Sequence, residues 1–170
     1  MKLKWKFLIL TIIFVLIICG GVIYFFWQKL GTSTLLFVYP ENVQAKVGEK
    51  IIAYIKVSNV RDLYGWEAKL QWNASMLTLL NATEGPFLRS HGNTTFFYPK
   101  PGDGSVRLEC CLQGMVIGVD GGGVLASLEF IVLQPGRSEV QLSYAKLMDS
   151  QEKVIEFSFG RTCVIVTASI

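Results

Sequence analysis

The sequence holds a single histidine, His91, in 170 residues. One histidine excludes most histidine-based triads and any multi-histidine metal site. His91 sits in a Ser-His-Gly-Asn stretch, the setting of a solvated loop residue. Carboxylates are scattered, and no two are spaced as an acid and its base. Asp103 and Asp120 offer only isolated oxygens to a cation. Gly121-Gly122-Gly123 follows Asp120 without a phosphate-loop lysine and leads into a strand pattern, which predicts a flexible turn. No enzyme signature emerges.

Basic clusters are missing as well. Four of the 16 basic residues (Lys2, Lys4, Lys6 and Lys29) fall in the first 30 positions, which leaves twelve against 13 acidic ones. The remainder is close to neutral, and the electrostatic footprint of nucleic-acid binding is absent. Cysteine is scarce too, with Cys19, Cys110, Cys111 and Cys163 at no metal-ligand spacing. In an oxidising compartment Cys163 has one of the adjacent Cys110 and Cys111 as partner, Cys111 being the pairing expected. The alternative is three small residues of a core.

What the sequence does have is one long apolar run. Residues 7–27 (FLILTIIFVLIICGGVIYFFW) carry no charge. As a helix they would reach about 31 Å, near the hydrocarbon thickness of a bilayer. Lys2, Lys4 and Lys6 lie before the run and Lys29 alone follows closely, so the C-terminal part is expected outside the cell. A cleaved signal peptide or a lipid-modified Cys19 are the competing readings. The run continues through Phe25, Phe26 and Trp27, longer than a signal peptide needs, and Ile18 is bulky for a lipid-attachment site. The organisation expected is therefore a basic stretch 1–6, a membrane anchor 7–27, a linker 28–33 and a domain 34–170.

From residue 34 onward, short apolar runs are cut by Gly, Pro, Asn and Asp, and none sustains a helical stripe. Residues 63–75, LYGWEAKLQWNAS, show the pattern most clearly. Tyr64, Trp66, Ala68, Leu70 and Trp72 fall on one parity, and Gly65, Glu67, Lys69 and Gln71 on the other. A period of two marks a strand with one dry and one wet face. About nine such runs at roughly ten-residue spacing predict an all-β antiparallel sandwich. Tyr64, Trp66 and Trp72 read as core aromatics. Three Asn-x-Ser/Thr sequons, at Asn73, Asn81 and Asn93, fall where strand patterns meet turns or loops, as glycan acceptors on an extracytoplasmic surface would.

The order of these segments resembles a cohesin domain. VGEKIIAYIKVSNVRDLYGWEAKLQWNASMLTLLNATEGPFL is similar to the first half of that family, and SVRLECCLQG followed by GGGVLASLEFIVLQPGRSEVQLSYAKLMDS to the second. The likeness runs over about residues 35–168. It departs at Trp72-Asn73-Ala74, where the family commonly has Tyr-Asp-Pro. The resemblance implies a nine-stranded jelly roll that needs no cofactor of its own and holds a dockerin, a small helical module that carries the calcium. It also implies a contact face on the wet parity, Glu67, Lys69 and Gln71, joined by Tyr98, Arg107 and Glu109. A glycan on Asn73 would crowd one end of that face. The expectation is a membrane-anchored surface receptor for a dockerin-like protein, with a link to polysaccharide. Two alternatives stay open, a carbohydrate-binding module of the same architecture and a structural envelope protein.

Overall fold

The computed structural model describes Gly20 and residues 33–168, so the segments 1–6 and 28–32 and the rest of the expected anchor lie outside the described residues. Among the described residues no helix is long and apolar enough to cross a membrane. The described residues form eleven strands in the order β1 (Thr34–Tyr39), β2 (Asn42–Lys46), β3 (Lys50–Leu63), β4 (Gly65–Gln71), β5 (Leu77–Glu84), β6 (Thr95–Gly102), β7 (Ser105–Leu112), β8 (Val119–Val132), β9 (Gly136–Met148), β10 (Phe157–Phe159) and β11 (Cys163–Ala168). A single 3-10 turn, Ser90–Gly92, interrupts the link from β5 to β6.

The strands make two packed sheets. One has the order β10-β1-β3-β8-β5 and the other β2-β11-β9-β4-β7-β6. Inward residues of both interleave around Phe130, which is fully buried, and Trp72 meets Phe130 edge-on at 5.0 Å between ring centres. Trp66 is buried, and Tyr64 and Trp72 pack half-buried against the core. A fully buried side chain of Phe130's size contributes about 1.5–3 kcal/mol through removal from water. The two-residue period of the sequence is the cause of this layering, since it sends alternate side chains to opposite faces.

Two features correct the sequence expectations, the first that of nine antiparallel strands and the second that of a turn at the three glycines. First, both sheets are mixed: β1 runs parallel to β10, and β2 parallel to β11. The chain steps from one sheet to the other between Tyr39 and Asn42, and again between Phe159 and Cys163, so its first and last strands lie side by side in each sheet. Bonds from Val38 N to Arg161 O (2.9 Å) and from Val164 N to Glu41 O (2.8 Å) tie the two crossings together. Second, Gly121, Gly122 and Gly123 lie inside β8 and form no turn. A Cβ on Gly122 would sit 2.9 Å from Val57 O, and one on Gly123 would sit 2.7 Å from the Phe87 ring. These glycines allow close approach of backbone and ring, a common reason for glycine within a strand.

The cysteines correct a third expectation. Cys110, Cys111 and Cys163 are all free thiols. Cys163 on β11 and Cys111 on β7 belong to the same sheet, with β9 and β4 between them. Three strand spacings amount to about 14 Å, well beyond disulfide reach. The core alternative holds for Cys110 and Cys163, which are buried, while Cys111 turns half-exposed to the other face.

Candidate functional site

The outer face of β6, β7, β4 and β9 gathers the wet-parity residues into rows. Along β4, Trp66, Ala68 and Leu70 are buried, and Glu67, Lys69 and Gln71 face outward. Strand register then aligns their neighbours. Tyr98, Glu109, Glu67 and Lys146 form one row across the four strands. Lys100, Arg107, Lys69 and Tyr144 form the next, and Ser105, Gln71 and Gln141 follow. Phe96, Cys111, Gly65 and Met148 complete the face on the other side. All six residues singled out in the sequence, Glu67, Lys69, Gln71, Tyr98, Arg107 and Glu109, therefore share one surface.

A charge cluster lies at its centre. Arg107 Nε forms ion pairs with Glu109 Oε1 at 2.8 Å and with Glu67 Oε1 at 3.1 Å. One guanidinium thus bridges two carboxylates that stand directly opposite each other on neighbouring strands. Held in this way, the three groups present a preformed set of charges to a partner. Beside them, Gly65 has no side chain between Cys111 and Met148, and a concavity of about 350 Å³ opens there, walled by Phe96, Arg107 and Lys146.

Aromatic residues flank the charges. Phe96 and Tyr98 are each about half exposed, at 51% and 49%, and their rings lie 6.5 Å apart and 12° from parallel. Tyr144 is also exposed, at 46%, across the sheet on β9. Register between β4 and β9 shifts at Lys69/Leu70, which leaves Ser143 as an extra residue whose hydroxyl donates to Lys69 O at 3.2 Å. Sequence reading put Gly65 on the wet parity but left it out of the contact set, and it missed Phe96, Tyr144 and Lys146 as parts of this face. Phe96 shares the parity of Tyr98 in TFFYPK, so the alternation rule was sufficient to find it.

Of the sequons, Asn73 and Asn81 are exposed and Asn93 is half-buried. Asn73 Oδ1 accepts from Ser75 N (3.0 Å) and Ser75 Oγ (2.7 Å), an Asx turn just past β4. Asn93 Nδ2 donates to Leu88 O at 3.3 Å. Asn81 lies within β5 at a register shift, not in a loop as its sequence setting suggested. Among the described residues no group of three or more His, Cys, Asp or Glu side chains is placed to hold a metal ion.

No model of a known protein family matches the sequence, and no curated protein matches it. Solved structures do share its fold. A non-cellulosomal cohesin from the hyperthermophilic archaeon Archaeoglobus fulgidus superposes with a TM-score of 0.68 at 14% identity, over 81% of this chain and 93% of that one. The sixth cohesin of scaffoldin B from Acetivibrio cellulolyticus, solved in complex with a dockerin, gives 0.67 at 16% identity, over 81% of this chain and all of that one. A type I cohesin–dockerin complex from Clostridium thermocellum gives 0.66 at 12% identity, over 81% and 100%. The sandwich of this chain has the cohesin fold, as the segment order of the sequence implied.

Proposed function

We propose that this chain is a cohesin-like binding module that holds a dockerin-type protein on the outer face of β6, β7, β4 and β9, displayed outside the cell behind a membrane anchor at residues 7–27. One observation carries the reading. Residues far apart in sequence, from Glu67 to Lys146, meet on a single uninterrupted face with a fixed charge cluster, exposed aromatics and a concavity. Interfaces draw most of their affinity from a few such anchors, aromatic and arginine side chains above all. The solved neighbours support the class of partner, because two of them are cohesins in complex with dockerins. The anchor rests on the apolar run and its flanking lysines.

A second reading has its own observation. A carbohydrate-binding module needs at least two exposed, near-parallel aromatics, and Phe96 and Tyr98 meet that need on an edge strand. A link to polysaccharide at the cell surface would run through this pair.

Calorimetric titration of the full chain, held in nanodiscs, against a panel of dockerin modules with and without calcium separates the two. Binding that requires calcium and weakens about tenfold or more on Glu67→Ala or Tyr98→Ala supports the dockerin reading. Failure across the panel, with retention on insoluble polysaccharide that Phe96→Ala abolishes, would replace it with the carbohydrate reading.

A further inference from the structure

One end of the sandwich carries apolar side chains that nothing among the described residues covers. Met115 is fully exposed and Ile117 is 81% exposed, on the loop between β7 and β8. Val154, at 56%, projects from the neighbouring link between β9 and β10. The β7–β8 loop is held firmly in this position. Gly118 N donates to Asp62 Oδ1 at 2.7 Å, and Tyr64 Oη donates to Gly114 O at 2.7 Å. An apolar tip fixed out in water by its own hydrogen bonds is prepared for a contact.

The place where the chain enters the domain identifies the contact. β1 starts at Thr34, whose hydroxyl donates to Asn59 O at 3.0 Å, and Leu35 lies opposite Ser58. From there β3 continues to Leu63, which faces Val119 at the start of β8, so the β7–β8 loop lies at the end of the sandwich where β1 begins. The uncharged run 7–27 stops six residues before Thr34. Across them Trp27 lies at most about 25 Å from Thr34. A bilayer that held residues 7–27 would therefore lie within that reach of the entry end.

We infer that the β7–β8 loop is a second membrane contact, with Met115 and Ile117 dipping into the lipid interface. This inference rests on the reading of residues 7–27 as an anchor. The chemistry is apolar. Asp62, Glu84, Asp120, Asp149 and Glu152 at this end outnumber Arg61, Arg89 and Lys153, so attraction to anionic lipid supplies nothing. Two or three apolar side chains bind a bilayer weakly when free, but a short tether raises their effective concentration into the millimolar range. The consequence is a domain whose tilt is set by two points of attachment.

The test uses the full chain in phosphatidylcholine nanodiscs, with isotope-labelled methionine methyls and a lipid that carries a nitroxide just below the headgroup. Met76 is buried in the core and serves as the internal reference for Met115. The Met115 methyl signal should lose intensity several-fold relative to that of Met76, and Ile117→Lys should restore it. Addition of anionic lipid should leave the effect unchanged or weaken it. An unquenched Met115 in chains that remain with the discs overturns the inference and leaves the anchor intact. Quenching that grows with anionic lipid overturns the apolar chemistry. Chains that separate from the discs altogether overturn the anchor reading, and this inference with it.

Discussion

Arg107 Nε lies 3.1 Å from Glu67 Oε1 and also contacts Glu109, so a single guanidinium sits between two carboxylates that the strand register sets face to face and offsets one of their two charges. Like charges directly opposite on adjacent strands destabilise a sheet by a few tenths to about 1 kcal/mol. An exposed ion pair contributes on the same scale. Arg107→Ala removes the bridge and leaves the repulsion, so it should cost about 1 kcal/mol in urea unfolding. Glu109→Gln should cost close to nothing, and it should relieve most of the loss when combined with Arg107→Ala. High salt should narrow the gap between wild type and Arg107→Ala by screening the two carboxylates. A loss on Glu109→Gln as large as that on Arg107→Ala would show that the arginine does not act by neutralisation.

Asp62 fastens two loops at the end of the sandwich near the β7–β8 loop. Its backbone is left-handed (φ 54°), and its carboxylate accepts from Gly118 N and from Ser150 Oγ, each at 2.7 Å. The Ser150 hydroxyl bond, above all, holds its pKa below the usual 3.8. The carboxylate is thus favoured in the folded state. The stability it adds is present above the unfolded value and fades as pH falls through the lower folded value. Asp62→Ala should cost about 1–3 kcal/mol and remove that acid-side component from the pH profile. Gly118→Ala should do at least as much harm at every pH, because its Cβ would lie 2.3 Å from the Asp62 carbonyl carbon. Chemical denaturation of both variants between pH 3 and 7 checks the two effects separately.

The buried thiols respond at the opposite end of the scale. Burial pushes Cys163 up to about 11 from 9.0, and it pushes Cys110 higher still, with help from the Glu84 carboxylate 3.6 Å from its sulfur. A thiol that ionises less readily when folded stabilises the native state below its unfolded pKa. That stability drains as pH rises through 9 toward the folded value, by about 1.4 kcal/mol per pH unit for each thiol. Unfolding free energy should therefore fall steeply above pH 9, and Cys163→Ala should flatten the fall. At pH 8, alkylation mapped by peptide should find Cys111 modified first, with Cys110 and Cys163 protected until the chain unfolds. Equal labelling of all three in the native protein would contradict this core.

Alternation made the binding face readable from sequence because each strand reports its own two sides. Trp66, Ala68 and Leu70 turn inward and Glu67, Lys69 and Gln71 outward, as their parity requires. The parallel pairings were hidden because parity does not encode a strand's neighbour. β2 is NVQAK, with a single buried residue, Ala45, and it becomes a strand through β11, whose residues lie more than a hundred positions away. β3 runs on to Leu63, with Asn59 and Asp62 at positive φ and the register shifting around them, which no alternation of its side chains encodes. The triple glycine was misread for a related reason. Its meaning depends on what approaches it, and Phe87 lies more than thirty residues earlier. The concavity was equally invisible, since a gap at Gly65 exists only once Cys111 and Met148 stand on either side of it.

That gap allows binding to be separated from folding. Gly65 has no positive φ, and a Cβ added there would meet Cys111 Cβ at 3.4 Å and Cys110 O at 3.5 Å, which are ordinary contacts. A β-branched side chain suits a strand position, so Gly65→Val should change stability by less than about 1 kcal/mol. Its methyl groups would nevertheless occupy the concavity that Phe96, Arg107 and Lys146 enclose. If a partner inserts a side chain there, Gly65→Val should lower affinity by about tenfold or more, through faster dissociation. Glu67→Ala weakens a charged contact and should make the salt dependence of association shallower, whereas Gly65→Val should leave that slope intact. Calorimetry and surface-plasmon kinetics on the two variants, beside their urea midpoints, provide the comparison. A Gly65→Val chain that is stable and binds its partner normally would move the contact off this end of the face, toward Gln71 and Gln141.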